Sequence, residues 1–255
     1  MRAMTYLAVV WAALAVAVSA ADVWVEKPFT QWSDKEVEKL TTDSPWAGKA
    51  SLTHEREGAN LGPVPDWKLV ISVRSALPIK QALLRKELGA GAAPSPGQES
   101  DLSKADARYV LAISNIPRTY LQQLTKSAQM AQLRPKGKPA ISATDASVFL
   151  FDKNGKAVTE PPPGAKPQAS TGVQIVPVAQ RGGGGGGFGG GGFGGGFGGQ
   201  EDRSGITATL ILEFPRTAAI AESDGEVELW TVIGGYAVKK TFKLKDMVFR
   251  GALAF

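Results

Sequence analysis

Glu226-Val227-Glu228-Leu229-Trp230-Thr231-Val232-Ile233-Gly234-Gly235-Tyr236-Ala237-Val238-Lys239-Lys240-Thr241-Phe242-Lys243-Leu244 is the stretch that decides the fold class. Gly234-Gly235 stands at its centre. Both glycines accept positive φ, as the tight turns that match strand twist require, so the pair predicts a two-residue β-hairpin. On the return run Tyr236, Val238, Phe242 and Leu244 share one face, and Lys239, Thr241 and Lys243 take the other. That alternation marks a half-buried strand. Upstream, Ile206, Ala208, Leu210, Leu212 and Phe214 alternate with Thr207, Thr209, Ile211 and Glu213; downstream, Met247, Phe249, Leu253 and Phe255 form a last strand. Four strands in succession predict an antiparallel meander.

Towards the N-terminus the same pattern recurs at Lys68–Arg74, Tyr109–Ser114 and Val148–Phe151. Residues 22–31 read as an extended lead-in. Ser33 and Glu36 then make a capping box, with Trp32 and Val37 as the hydrophobic staple pair, and predict a helix over 34–41. Ser44 and Pro45 suit a second capped turn, with Trp46 packing back. Trp32 and Trp46 are read as staples holding the helix to the body. Pro78 opens a second helix with an apolar stripe of Ile79, Ala82 and Leu83, ended by Gly89. Pro117 opens a third, across Leu121, Leu124 and Ala128. Residues 55–66 and 89–105 read as loops, and Asp152-Lys153-Asn154-Gly155 as a turn. The expected fold class is α+β, with a mostly antiparallel sheet of about seven strands and about three helices.

Two segments stand outside that domain. Met1-Arg2 followed by the apolar run Met4–Val18 and the small residues Ser19-Ala20-Ala21 has the layout of a secretory signal peptide. The run is shorter than the roughly 20 residues of a spanning helix, so no transmembrane segment is expected after cleavage. The expected localisation is therefore exported, periplasmic or extracellular. The stretch 161–204 is rich in Pro and Gly, and within it Gly182–Gly199 is broken only by Phe188, Phe193 and Phe197. Glycine loses the most backbone entropy on ordering, so this insert is expected to be disordered. The division is thus a signal peptide over 1–21, the first part of one domain over 22–160, the insert over 161–204, and the domain's C-terminal strands over 205–255.

The chain has no cysteine, which removes disulfides and thiolate metal sites. Its net charge of +5 comes from scattered residues with modest clusters at 80–86, 134–138 and 239–245, read as solvated faces. No nucleic acid is expected as a partner: the basic helix near Lys80–Lys86 carries no interleaved aromatics, and the protein is expected to be exported. His54 is the only histidine, and no G-x-S-x-G elbow accompanies it. It is read as neither catalytic nor metal-ligating. The acidic run Glu222, Asp224, Glu226 and Glu228 is the best metal candidate. It lacks the closing glutamate of a calcium loop, since Ile233 stands there, and is read as a turn and a strand face. No cofactor, catalytic residue or metal ligand is assigned.

Trp32-Ser33-Asp34-Lys35-Glu36-Val37 with Asp43-Ser44-Pro45-Trp46-Ala47, and Phe242-Lys243-Leu244-Lys245-Asp246-Met247-Val248-Phe249, are the segments that look familiar. With Ser75-Ala76-Leu77-Pro78 and Phe214-Pro215-Arg216 between them, the chain resembles a family of uncharacterised secreted bacterial proteins that carry glycine-rich inserts. The resemblance implies export and brings no activity and no catalytic residues. The expected function is that of a non-enzymatic binding or envelope-associated module, its partner a protein or a cell-envelope component. The alternative is a secreted hydrolase whose site is assembled from scattered carboxylates.

Overall fold

The computed structural model describes residues 23–56, 62–104, 106–152, 157, 174–176 and 205–255. The expected signal peptide, the Gly182–Gly199 tract and residues 153–155 of the expected turn lie outside the described residues. The fold is α+β. Among the described residues, thirteen strand segments form sheets of six, five and two strands, every pairing antiparallel. Five α-helices and four 3-10 turns accompany them.

The lead-in is helical rather than extended, with α1 at Val23–Glu26 and a 3-10 turn at Phe29–Gln31. Helix α2 (Asp34–Thr42) begins as its caps dictate: the Glu36 N–H donates to Ser33 Oγ at 3.3 Å, and the Ser33 N–H donates to Glu36 Oε2 at 2.7 Å. Trp32 and Val37 are both buried in the common core. Trp46 sits edge-on between Trp24 and Phe249, with ring centroids 6.0 and 6.2 Å away. Both tryptophans are thus staples.

The chain then passes through β1 (Ala47–Lys49), β2 (Ser51–His54) and β3 (Val70–Val73) into α3 (Leu77–Leu88), which Gly89 ends at φ 86°. Helix α4 (Pro96–Ser103) replaces part of the expected loop. Its start repeats the Ser33 logic, with Ser95 and Gln98 as the box and Pro96 in the first turn. It buries no residue, so no apolar stripe announced it. Strand β4 (Arg108–Pro117) leads through a 3-10 turn at Arg118–Gln123 into α5 (Leu124–Met130). The expected third helix therefore starts later and ends sooner. Residues after it form β5 (Gln132–Pro135), then β6 (Ile141–Ser142) and β7 (Asp145–Phe151). Pro135 is tolerated in β5 because β6 pairs only with Gln132 and Leu133. Strand β8 (Gln174–Val176) pairs with β7.

The expected C-terminal meander is corrected by the topology. Strand β9 (Thr207–Pro215) lies between β4 and β7 in the six-stranded sheet, so both its edges are occupied. Residues 216–225, including a 3-10 turn at Glu222–Asp224, carry the chain to the five-stranded sheet. There β10 (Glu226–Ile233) and β11 (Tyr236–Lys243) form the hairpin across Gly234-Gly235, at φ 64° and 84°. The last expected strand is a 3-10 turn followed by a small ribbon, β12 (Val248–Phe249) and β13 (Ala252–Leu253). The sheet orders are β1-β3-β4-β9-β7-β8 and β2-β11-β10-β5-β6. Both contribute to one hydrophobic core, with Phe214, Leu210 and Ile113 from the first and Phe242, Leu229 and Val238 from the second.

Candidate functional site

The site arises where one run of chain changes sheets. Strand β1 pairs with β3 as far as Lys49 opposite Val70. The Ala50 N–H then donates to the Leu69 carbonyl at 3.0 Å. Beyond that bond β2 follows β11, and the residues before Leu69 turn away from it. Pro63 and Pro65 lie in that diverging segment. A proline cannot donate to a ladder, so the segment does not zip onto β2 as another strand. A groove of about 260 Å³ opens between Lys49, Ala50 and Leu52 on one wall and Val64, Pro65, Asp66, Trp67 and Lys68 on the other. Val64 is 41% exposed at this groove, one of two large hydrophobic side chains exposed among the described residues.

Trp67 fixes the groove to the body. Its ring lies 4.5 Å from Tyr120 and 5.5 Å from Tyr236, centroid to centroid, and Tyr236 lies 5.6 Å from His54. Three elements converge to make this cluster. The register of β2 with β11 sets His54 opposite Tyr236. The β10–β11 turn makes room for Tyr120, because a β-carbon on Gly234 would overlap the Tyr120 ring. A bulge in β4 leaves Asn115 at φ 65°, and its Nδ2 donates to the Lys68 carbonyl at 3.1 Å, next to Trp67. Burial, followed by the proximity of Tyr236, raises the Tyr120 hydroxyl above the ordinary tyrosine range. The groove thus has a half-buried aromatic side, an aliphatic rim and two lysines; Lys68 is paired with Asp66. Such a surface offers ring contact, an aliphatic edge and hydrogen-bonding groups to a ligand.

The sequence candidates fall as follows. His54 is half-buried within the aromatic cluster, and its Nδ1 has no hydrogen-bond partner among the described residues. Asp224, Glu226 and Glu228 of the acidic run are laid against basic residues of β5 and of the turn after it. Lys138 Nζ donates to Asp224 Oδ2 at 2.7 Å, Lys136 lies 3.3 Å from Glu226, and Arg134 lies 3.6 Å from Glu228. The Ala221 N–H also donates to Asp224 at 2.9 Å. That backbone bond, followed by Lys138, holds the Asp224 carboxyl below its ordinary range. Among the described residues no group of three or more histidine, aspartate or glutamate side chains is placed to hold a metal. Glu213 and Asp145, brought together by β9 and β7, share Arg108 at 2.8 and 3.6 Å. Sequence reasoning did not single out Trp67 or Tyr120, and it read Tyr236 only as a strand-face residue. The one local signal was a tryptophan following two prolines in a loop.

No family model matches the sequence, and neither a curated protein nor a solved structure matches it.

Proposed function

We propose that this chain is an exported, non-enzymatic binding module of the cell envelope, and that the groove beside Trp67 is its contact surface. The observation that carries the reading is the groove itself: an open cleft of about 260 Å³ backed by Trp67, Tyr120 and Tyr236, with Val64 exposed. A surface that joins an aromatic ring and an exposed aliphatic side chain to a charged rim has the character of a contact site. The signal-like first 21 residues supply the export half of the reading. The resemblance of the Trp32–Val37 and Phe242–Phe249 segments to secreted bacterial proteins points the same way. The acids that the β-strands gather are ion-paired: Asp224, Glu226, Glu228, Glu213 and Asp145 each face a lysine or arginine. No helix among the described residues is long and apolar enough to cross a membrane.

Fractionation of the native host tests the proposal. The full chain is expected in the exported fraction and bound to envelope material. Trp67→Ala is expected to release it, and Val64→Asp, at an exposed groove position, is expected to release it while leaving its melting temperature within a few degrees. Recovery of the full chain from the cytoplasm, or envelope binding indifferent to Trp67→Ala, contradicts it.

A further inference from the structure

Two of the basic clusters, 134–138 and 239–245, come together on the five-stranded sheet with the acidic strand β10 between them. The acids do not serve both sides. Glu228 reaches Arg134 at 3.6 Å, Glu226 reaches Lys136 at 3.3 Å and Asp224 reaches Lys138 at 2.7 Å. Lys243 stands opposite Glu226 in the register, yet neither it nor Lys239 makes an ion pair among the described residues. These two lysines stand on the same face of β11, their α-carbons about 13 Å apart at roughly 3.3 Å per residue. Thr241 lies between them. Beside Lys239 in the register are Trp230 on β10 and Ser51 on β2. The Arg134 guanidinium lies 4.3 Å over the Trp230 ring and is held there by two hydrogen bonds to Gln132 Oε1, at 3.1 and 2.9 Å. The face is therefore hydroxyl-bearing and net positive, with Arg134 fixed against Trp230.

We propose that this face binds a linear acidic polysaccharide laid along β11. Uncompensated cations at intervals on a strand complement a chain of regularly spaced carboxylates or sulfates, and their attraction falls with salt. The Arg134 guanidinium, held over Trp230, offers a fixed cation to a carboxylate or sulfate, and Ser51, Thr53 and Thr241 offer hydroxyls. The groove lies on the other side of β2: Leu52 faces the groove, and Ser51 and Thr53 alternate with it. This inference stands independently of the groove reading, and either can fail alone.

Affinity electrophoresis of the full chain through gels containing polygalacturonate tests it, with dextran gels as the neutral control. Retardation is expected in polygalacturonate only, and it is expected to weaken as salt rises. Lys239→Thr with Lys243→Thr is expected to weaken binding about tenfold, and Trp230→Ala severalfold. Lys35→Thr with Lys126→Thr, the same charge change on exposed helix positions, is expected to leave it within about twofold. Glu226→Gln releases Lys136 and is expected to tighten binding, a gain that unfolding cannot mimic. Absence of retardation overturns the proposal, as does equal loss in the control pair or no gain with Glu226→Gln. Tighter binding of single-stranded DNA, or of vesicles rich in anionic lipid, overturns the assignment to a polysaccharide.

Discussion

Tyr120 lies against Gly234 so closely that any side chain at that turn position would enter the tyrosine ring. Gly234 also sits at φ 64°, where an L-residue other than glycine is strained. One glycine thereby serves both the hairpin and the aromatic cluster. Gly234→Ala is expected to cost about 2–4 kcal/mol, combining left-handed strain of about 1–2 kcal/mol with overpacking. Adding Tyr120→Ala should relieve the overpacking and leave the strain. Urea denaturation of the singles and the double gives that coupling. Additive effects would show that the ring and the turn are not in contact.

Trp32 is expected to be structural. It is 2% exposed, its Nε1 donates to the Lys27 carbonyl at 3.3 Å, and its ring stands edge-on to Phe29 at 6.3 Å. Trp32→Ala should cost about 3–5 kcal/mol, the usual range for a buried aromatic. Phe255 should behave similarly. It is buried against Tyr109 and Phe242, and its carbonyl accepts from Arg216 at 3.0 Å. Denaturation midpoints of both alanine variants check this; a neutral Trp32→Ala would make that residue a contact residue instead of a staple.

Acid should unfold the protein partly through Asp224. Its folded-state pKa lies below its unfolded value because the Ala221 N–H and Lys138 favour the carboxylate. The unfolded state therefore takes up protons first. The stabilisation is complete above the unfolded aspartate value of about 3.9 and is lost as pH falls through the folded value. Asp224→Asn should be less stable than the native chain near neutrality, with a flatter acid limb below about pH 4. Calcium should leave the melting temperature unchanged, because these carboxylates already face cations. A bound ion at a hundredfold excess over its Kd would add about 2.7 kcal/mol. A calcium-dependent rise that Asp224→Asn abolishes would show a metal site.

Export is tested at the N-terminus. The protein isolated from its native host should begin at Ala21 or Asp22. Intact Met1 on cytoplasmic protein would contradict the reading of residues 1–21 as a signal peptide.

Local signals proved reliable where chemistry and position coincide. The Ser33–Glu36 box, the Gly234-Gly235 turn and the Gly89 stop all follow from backbone groups that neighbouring side chains must satisfy or from φ values only glycine accepts readily. The pairing of β9 did not follow, because alternation states which face of a strand is buried but not which strand lies beside it. Residues 216–225 are long enough to carry the chain to another sheet, and the β4 and β7 edges take β9. Strand β5 was hidden by its four residues and its Pro135, and α4 by the lack of an apolar stripe. The groove could not be read at all. Trp67, Tyr120 and Tyr236 are far apart in sequence and meet only through the β4 bulge, the β2–β11 register and the Gly234 turn. His54 joins them through that register, which no local pattern encodes.

Photo-crosslinking from the groove tests the central claim most directly. Val64→p-benzoylphenylalanine in the full chain, irradiated in the native host, is expected to give a discrete adduct with an envelope component. The adduct should vanish with Trp67→Ala or Lys49→Glu, and the same probe at exposed Thr53, on the other side of β2, should not give it. No adduct from Val64, or one that persists through both substitutions, would contradict the assignment of this groove as the binding surface.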